Sequence, residues 1–266
     1  MKVALIGKGR WGQVLLKELR ELSEVKYECD SKTDLNQVFS DAEVEAVFIA
    51  TPIPTHCEIA HRALEAGKHV FLEKPGTTSS ADLEKLVELA EAKNLRFALG
   101  YEFIHHPAII KIKQLIEGKE VRFIRLEWQK WGSFKYAIEE NLLCHDISIL
   151  KFLGLDVSNP KAHKTGFVSE SDIIATSFGA NTMSVINRVS LIKSRTMLVK
   201  LEDTAYLWSN EELFEVVGEE LKKIEISTVT PVAAEIVDFF SAIKDNRKAV
   251  SNGQFALEVY KVIERV

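Results

Sequence analysis

Short apolar runs alternate with amphipathic helical patterns through the first hundred residues of the chain. The apolar runs show little polar alternation, which is typical of strands buried on both faces of a parallel sheet. Between them, apolar residues recur at helical spacing, and Gly67 ends one helical pattern as a C-terminal stop. This alternation predicts β-α-β units in a doubly wound sheet. The predicted strands are 3–6, 26–30, 46–51, 69–73 and 96–99, and the predicted helices are 11–22, 56–66 and 80–93.

The pattern changes after about residue 118. A longer strand over 121–130 and a helix over 138–153 precede a series of strand-like runs with short polar connections, which favours an antiparallel sheet. These runs are 162–168, 173–178, 182–189, 195–201, 204–208 and 221–226, and helices over 232–244 and 254–266 close the chain. The sequence therefore predicts an α/β protein. A Rossmann doubly wound parallel sheet occupies 1–118, and an α+β domain with a mostly antiparallel open sheet occupies 119–266, with last helices that could return to the first domain.

Composition and charge exclude several classes of protein. The chain has 266 residues, of which 46% are hydrophobic, so it can build a core and is not predicted to be disordered. Its net charge is −5, which is unlike the basic footprint of a nucleic-acid-binding protein. The longest uncharged stretch, 173–187, is 15 residues long and polar, whereas a membrane-spanning helix needs about 20 apolar residues. Three widely spaced cysteines without a C-x-x-C pair favour a reduced, cytoplasmic location.

A glycine-rich loop stands between the first predicted strand and the first predicted helix. The segment Gly7-Lys8-Gly9-Arg10-Trp11-Gly12 has the pattern G-x-G-x-x-G, and this strand–turn–helix setting is the one in which that pattern binds a dinucleotide. The first glycine allows the tight turn, the second lets the backbone approach a pyrophosphate, and the third lets the helix pack closely on the strand. The amides at the helix N-terminus attract the phosphates. We therefore predict that Gly7, Gly9, Arg10, Trp11 and Gly12 bind the cofactor.

An acidic residue at the end of the second predicted strand favours NAD over NADP. Asp30 lies 18 residues after Gly12, where a carboxylate can accept a hydrogen bond from the adenosine ribose 2′-hydroxyl and repels a 2′-phosphate. Ser31 and Lys32 follow directly and leave NADP possible.

Four segments of the chain resemble the Gfo/Idh/MocA oxidoreductases, and their order and spacing match that family. They are the glycine loop, Ala50-Thr51-Pro52-Ile53-Pro54-Thr55-His56 after the third predicted strand, Glu73-Lys74-Pro75 after the fourth, and Gly100-Tyr101 after the fifth. The E-K-P segment is the most specific of the four. Further along, His145-Asp146-Ile147-Ser148-Ile149-Leu150 resembles the helix that carries the family's catalytic histidine. Together with Arg125 on the preceding strand, this sequence is most similar to members that act at C3 of nucleotide-linked N-acetyl sugars.

The resemblance implies roles for several side chains. Lys74 would lie by the nicotinamide and stabilise the developing alkoxide. The peptide bond between Lys74 and Pro75 is often cis in the family. His145 would remove the hydroxyl proton, which suits a group that titrates near neutral pH. Asn141 stands where members often have Asp, and its spacing of four from His145 would let it orient the histidine or the substrate. The further cofactor-binding residues implied are Thr51, Pro52, His56 and Glu73, together with Lys74.

Four other side chains are candidates for the substrate side: Tyr101, His105, Trp128 and Lys130. Aromatic rings can stack on a sugar face, and a lysine can meet an acidic group. Cysteine and histidine are neighbours at Cys57 and Cys144, but neither pair has the spacing of zinc ligands, so we predict no metal site.

We therefore predict a cytoplasmic NAD(P)-dependent oxidoreductase that acts on a secondary alcohol or ketone of a sugar or sugar derivative. Two alternatives remain open: a dinucleotide-binding sensor or partner subunit with little catalysis, and a dehydrogenase of amino acids or imines on the same fold. Apolar alternation in 182–189 leaves an open sheet face that needs a cover, which predicts a homodimer or homotetramer through the C-terminal sheet.

Overall fold

A computed structural model describes all 266 residues. The strands are β1 (Lys2–Ile6), β2 (Glu24–Cys29), β3 (Ala46–Ile49), β4 (His69–Glu73), β5 (Phe97–Gly100), β6 (Phe123–Trp131), β7 (Pro160–Thr165), β8 (Ile173–Phe178), β9 (Thr182–Asn187), β10 (Val189–Lys200), β11 (Ala205–Ser209), β12 (Glu212–Val217) and β13 (Glu220–Ile224). The α-helices are α1 (Arg10–Leu22), α2 (Leu35–Ser40), α3 (His56–Glu65), α4 (Ser80–Ala92), α5 (Pro107–Ile116), α6 (Cys144–Phe152), α7 (Pro231–Lys244) and α8 (Gly253–Ile263).

The chain divides into two compact units. The first contains Met1–Glu102 and Thr230–Tyr260, and the second contains Phe103–Val229 and Lys261–Val266. The boundary predicted at residue 118 lies 16 residues further along the chain than this division at 102. The segment that carries α7 thus belongs to the first unit although it is distant in sequence.

The first unit is built on a parallel sheet of five strands in the order β2-β1-β3-β4-β5. Every residue of β3 is buried, as the unbroken apolar run predicted. Helices α1 and α7 pack together on one face of the sheet. There Phe239 of α7 meets Phe48 and Phe71 edge to face, with ring centroids 5.6 Å apart in both pairs. The apolar face of a late helix therefore completes the core of the Rossmann unit.

The second unit contains an eight-stranded sheet in the order β13-β12-β11-β10-β6-β9-β8-β7. Neighbouring strands are antiparallel except β6 and β9, which are parallel. Burial alternates along β8, β9 and the second half of β10, so one face of this sheet is buried and the other is half-exposed. The predicted fold class, a Rossmann parallel sheet with a mostly antiparallel second sheet, is confirmed.

Several predicted elements need correction. The predicted helix over 138–153 begins as a π-helical segment, Glu139–Leu143, before α6. Strand β10 begins at Val189 rather than at Arg195, and its pairing with β6 shifts between Val189 and Ser194, which hid the period-two pattern. Three elements had not been predicted: α2, α5 and β12. Helix α2 is only six residues long, the apolar residues of α5 are interrupted by Lys111, Lys113 and Gln114, and β12 has Glu212 and Val217 at its exposed positions.

No helix of the structure is both long enough and apolar enough to span a membrane.

Candidate active site

The glycine loop leaves open space at the position expected to meet a pyrophosphate. Gly7 has φ +106°, and a Cβ there would lie 2.6 Å from the Ala50 carbonyl carbon. A Cβ on Gly12 would lie 1.9 Å from the Gly7 oxygen, so these two glycines are required by close packing. A Cβ on Gly9 would meet no atom within 4 Å. The second glycine of the motif is therefore the one that leaves room for a ligand.

The N-terminus of α1 is prepared for an anion. Its N-cap residue, Gly9, offers no side-chain acceptor, and the first turn contains no acidic residue. The first-turn amides are thus not capped by a side chain, and together with the helix dipole they suit the phosphates of a dinucleotide. Arg10 is exposed at the start of the same helix.

Asp30 is exposed directly after β2, as predicted. The Lys32 backbone N–H donates to its Oδ1 over 2.9 Å, and the Thr33 hydroxyl donates to the same oxygen over 3.3 Å. The Lys32 amide, the Thr33 hydroxyl and the charges of Lys8 and Lys32 together hold the pKa of Asp30 below its usual value. The carboxylate is therefore ionised at neutral pH. Lys8, in the glycine loop, brings a second positive charge near this position.

Glu73 of the E-K-P segment is joined to the glycine-loop helix. Trp11 Nε1 donates to Glu73 Oε1 over 2.5 Å. Gly100 of β5 provides the space, because a Cβ there would lie 2.8 Å from the same oxygen. Burial raises the pKa of Glu73 to about 8, against the opposing effects of the Trp11 hydrogen bond and the Lys74 charge. The carboxyl group of Glu73 is thus largely protonated at neutral pH.

Lys74 is half-buried and follows the last residue of β4, at the carboxyl edge of the sheet where ligands of open α/β sheets bind. The Lys74–Pro75 peptide bond is cis, as the family resemblance implied. The turn continues through Gly76, which has φ +99°.

His56 shapes this edge through the backbone. It is buried, and its Nδ1 lies 2.9 Å from the Gly76 carbonyl oxygen while its Nε2 lies 2.7 Å from that of Thr51. Burial lowers the pKa of His56. Both ring nitrogens thus lie within hydrogen-bond distance of backbone carbonyl oxygens, and the neutral ring donates to one of them, so His56 contacts both the turn after β4 and the turn after β3. Pro52, at the second of these turns, is exposed.

A buried carboxyl group that the sequence analysis missed lies in the same unit. Glu235 of α7 is 1% exposed, and neither of its carboxyl oxygens has a hydrogen-bond partner. Burial raises its pKa well above the ordinary value, and the charges of Glu73 and Glu102 raise it further. Nothing local marks this glutamate, because it stands in an ordinary amphipathic helix. Only the packing of α7 on the sheet brings it toward the E-K-P segment.

His145 lies in α6 of the second unit and is 4% exposed. Its ring stands edge-on to Phe103, with centroids 5.0 Å apart, and its centroid lies 5.6 Å from that of the tilted Trp128 ring. The next residue, Asp146, pairs with Arg195 and accepts a hydrogen bond from Ser184. Burial raises the pKa of Asp146, and Arg195 opposes that rise. The His145 ring thus packs against two aromatic rings, and the residue after it is fixed by an ion pair and a hydrogen bond.

Asn141 lies within the π-helical segment that precedes α6. Its Nδ2 approaches the Ser133 carbonyl oxygen at 3.4 Å. The prediction that Asn141 and His145 share a helix face assumed a regular α-helix. A π-turn pairs residues five apart, so the rotation about the helix axis between these two side chains differs from that of an α-helix.

The four candidates for the substrate side have different environments. Trp128 and Lys130 are half-buried neighbours on β6, and Lys130 Nζ lies 6.0 Å from the Trp128 ring. Lys130 also donates to the Ser133 hydroxyl over 2.8 Å. By contrast, Tyr101 is completely buried and His105 is 5% exposed. The substrate-side role of all four residues stays a prediction.

The sequence analysis also missed Arg195, Phe103 and Trp208, which surround the histidine region from β10, from the turn after β5 and from β11. No short motif joins them, since they are far apart in sequence. No group of three or more His, Cys, Asp or Glu side chains is arranged to hold a metal ion.

Comparison with known proteins finds a family model that matches part of the first unit. The model of the Gfo/Idh/MocA family, described as "Oxidoreductase family, NAD-binding Rossmann fold", matches residues 19–101. The resemblance predicted from the motifs is therefore confirmed, and the family is NAD-binding.

Several relatives with assigned activities match parts of the chain. The dTDP-3,4-didehydro-2,6-dideoxy-alpha-D-glucose 3-reductase of Saccharopolyspora spinosa is 34% identical over 100 residues, which cover 38% of this chain and 30% of that enzyme. The match with its Streptomyces violaceoruber counterpart covers 28% of that enzyme, so these two alignments span about a third or less of each relative. The UDP-N-acetylglucosamine 3-dehydrogenase of Acidithiobacillus ferrooxidans is 27% identical over 232 residues, covering 80% of this chain and 74% of that enzyme.

The likeness in fold extends over the whole chain. A crystal structure of UDP-N-acetylglucosamine 3-dehydrogenase from Acidithiobacillus ferrooxidans superposes with a TM-score of 0.91 at 23% identity, covering 100% of this chain and 96% of that one. At this level of identity the likeness concerns the fold.

Proposed function

We propose that this chain belongs to the Gfo/Idh/MocA oxidoreductases and transfers a hydride between NAD and a secondary alcohol or ketone carbon of a sugar or sugar derivative. The observation that carries the proposal is the join between two motifs: Trp11 of the glycine-loop helix donates to Glu73 of the E-K-P segment. This hydrogen bond fixes the loop that suits a pyrophosphate relative to the strand end that carries Lys74. A cofactor cradle and a cation are thereby combined at one edge of a sheet.

The residues of the Rossmann unit fit the cofactor. The open space at Gly9 and the uncapped amides of α1 would hold the pyrophosphate, and Asp30 would accept the ribose 2′-hydroxyl. When bound, NAD supplies the hydride acceptor or donor at C4 of the nicotinamide. The ionised state of Asp30 supports a preference for NAD, whereas Lys8 and Lys32 beside it keep NADP as a weaker ligand.

Two side chains would carry the acid–base chemistry. Lys74 would stabilise the negative charge that develops on the substrate oxygen as its proton leaves, and in the reverse direction it would polarise the carbonyl group. His145 would accept the hydroxyl proton in oxidation and return it in reduction. Asn141 would orient the substrate or the histidine. In oxidation the carbinol carbon thus loses a hydride and its oxygen loses a proton, which leaves a ketone.

We propose a nucleotide-linked sugar as the substrate class. This rests on the names of the relatives, a UDP-N-acetylglucosamine 3-dehydrogenase and two dTDP-sugar 3-reductases, and on the pairing of an aromatic ring with a cation at Trp128 and Lys130. An aromatic ring suits a sugar or base face, and a lysine suits a phosphate.

We also propose that the chain forms a homodimer or homotetramer through the half-exposed face of the second sheet. That face carries apolar side chains at alternate positions, including Ile173, Val185, Leu198 and Leu207. A second copy is a common cover for such a face.

The free cysteines, of which Cys29 and Cys144 are buried, support a reducing cytoplasmic location. Sedimentation equilibrium tests the first of these proposals, and cell fractionation tests the second.

The experiment that tests the function is a two-stage assay. Nicotinamide fluorescence first measures the binding of NADH and NADPH by the purified chain. NAD or NADH is then supplied with a panel of UDP- and dTDP-linked sugars, free polyols and amino acids. Turnover of a nucleotide sugar supports the proposal, and turnover of amino acids alone refutes the substrate class. Binding of NADH with no turnover of any panel member would instead favour the dinucleotide-binding sensor.

A further inference from the structure

A buried guanidinium shares its aromatic neighbours with the proposed catalytic histidine. Arg195 of β10 is 6% exposed, and its Cζ lies 3.5 Å from the ring centroid of Phe103 and 4.0 Å from that of Trp128. The His145 ring contacts the same two rings, with centroids 5.0 Å and 5.6 Å away. One face of each ring is therefore covered by the guanidinium, and the imidazole packs against the same pair of rings.

The guanidinium is also bound to the residue that follows the histidine. Arg195 Nη2 donates to Asp146 Oδ1 over 2.9 Å, and Ser184 Oγ donates to Asp146 Oδ2 over 2.7 Å. Asp146 is 1% exposed. Arg195 thus contacts the His145-Asp146 pair in two ways: through shared rings on one side and through an ion pair on the other.

The backbone of Arg195 is fixed as well. Its N–H donates to Asn210 Oδ1 over 3.0 Å, and the Asn210 N–H donates to its carbonyl oxygen over 2.8 Å. The Trp208 ring lies on a further side of the guanidinium, at 5.4 Å. Arg195 is thus held by Asn210 at its backbone, by aromatic rings along its guanidinium and by a carboxylate at its tip. The side chain therefore has little freedom to move.

Core stability alone does not call for this arrangement. Removing two charges from water is costly, and well-packed apolar side chains often replace a buried ion pair without loss of stability. A planar guanidinium, in contrast, can stack on two rings and form a directed bond to a carboxylate at the same time, which neither an apolar side chain nor lysine can do. The property that this geometry supplies is orientation.

We propose that Arg195 is a positioning residue for His145, holding its ring through Phe103 and Trp128 and holding helix α6 through Asp146. The inference rests on the proposed function, in which His145 moves the proton of the substrate hydroxyl. Small displacements of a proton-transfer group are costly, since a misplacement of about 1 Å lowers rates by about 10²-fold.

Two variants separate positioning from folding. Arg195→Met removes the guanidinium and leaves Asp146 buried without its cationic partner. The double variant Arg195→Met with Asp146→Leu replaces the pair with apolar side chains, so no buried charge is left alone. Lys113→Met is the matched control. Lys113 also places a cation over an aromatic ring of α6, with Nζ 3.9 Å from the Phe152 ring centroid, but Phe152 lies seven residues after His145.

We expect the double variant to lower kcat by about 10²-fold while the KM for the sugar changes less than about threefold. Arg195→Lys, which keeps the ion pair but not the stacking, should recover part of kcat. Lys113→Met should retain it. In the chain without cofactor, the ring-current-shifted proton resonances of His145 should move in the double variant and not in Lys113→Met.

Two results would overturn the proposal: a double variant with unchanged kcat, or one with unchanged His145 resonances. If His145 is not the proton acceptor, His145→Gln retains turnover. That failure of the proposed function is distinguishable from a failure of the positioning role, because the resonance shift in the Arg195 variants still reports on positioning. If Arg195→Met does not fold, the double variant and Arg195→Lys still decide the matter.

Discussion

The indole of Trp11 donates a hydrogen bond of 2.5 Å to the carboxyl group of Glu73. Trp11 stands in the glycine-loop helix and Glu73 at the end of β4, so this bond connects the two segments that resemble the cofactor motifs of the family. The donor is an N–H group and the acceptor is a buried carboxyl that burial keeps largely protonated, with a pKa of about 8. A loop and a strand end that are 62 residues apart are thereby held in a fixed relation.

This bond predicts that Trp11→Phe weakens cofactor binding. Phenylalanine keeps an aromatic ring but removes the N–H donor, so the carboxyl group of Glu73 is left buried without that donor, at a cost of about 1–3 kcal/mol for an unsatisfied group. We expect NADH affinity, measured by nicotinamide fluorescence, to fall by about tenfold. Trp131→Phe is the control, because Trp131 is 58% exposed and lies in the second unit. Equal NADH affinity in wild type and Trp11→Phe would contradict the prediction.

Asp30 predicts the preference between the two cofactors. Asp30→Ala removes the carboxylate and leaves Lys8 and Lys32, whose positive charges then favour a 2′-phosphate. NADH should bind more weakly and NADPH more tightly, so that the ratio of their dissociation constants changes by about tenfold or more. Asp34→Ala is the control, since Asp34 caps α2 through the Asn36 N–H. An unchanged ratio in Asp30→Ala would show that another group reads the ribose.

Glu235 predicts that stability falls as the pH rises. Its folded-state pKa is raised above the unfolded value, chiefly by burial, so the folded chain keeps a proton that the unfolded chain releases. Above the unfolded pKa of about 4.3, each pH unit then removes up to about 1.4 kcal/mol until the folded pKa is reached. Glu235→Gln does not titrate, so its advantage in Tm over wild type should widen between pH 5 and pH 8. The exposed Glu88→Gln should show no such widening.

Asp172 predicts the opposite dependence in the second unit. Burial alone would raise the pKa of Asp172. Its pKa is nevertheless held well below the usual range by hydrogen bonds from the Ser169 hydroxyl and from the amides of Ser169, Phe167 and Val168. This stability is present above the unfolded pKa of about 3.9 and is lost as the pH falls further.

The variant for this test is Asp172→Asn, which also leaves Arg188 buried without its ion pair. We expect a loss of about 3–5 kcal/mol in the free energy of unfolding at pH 7, measured with urea, and a smaller loss at pH 3. Asp156→Asn, at an exposed turn, should cost far less. A loss that is equal at both pH values would argue against ionisation of Asp172 as the cause.

Periodicity and local motifs account for much of what could be predicted. The predicted strands 69–73 and 173–178 coincide with β4 and β8, because unbroken apolar runs and strict alternation are local signals. The glycine loop could also be placed, since the pattern and the strand and helix on either side of it lie within 22 residues.

What the sequence did not reveal depends on long-range packing. Glu235 comes near Glu73 only because α7 packs on a sheet formed more than a hundred residues earlier. Arg195 lies beside Trp128 through the pairing of β10 with β6, and that pairing contains a register shift. No window of sequence holds these partners together. The π-helical segment around Asn141 was missed for a related reason, since one inserted residue in a helix hardly changes an apolar pattern.

The central claim is that this chain transfers a hydride between a nicotinamide and a sugar carbon, with Lys74 as the stabilising cation. Transfer of deuterium from NADH labelled at C4 to a keto sugar nucleotide, followed by mass spectrometry of the product, tests it most directly. We predict one deuterium on the new carbinol carbon with wild type. With Lys74→Met, we predict a rate lower by about 10²–10³-fold at saturating NADH. A product without deuterium, or an unchanged rate in Lys74→Met, would contradict the account.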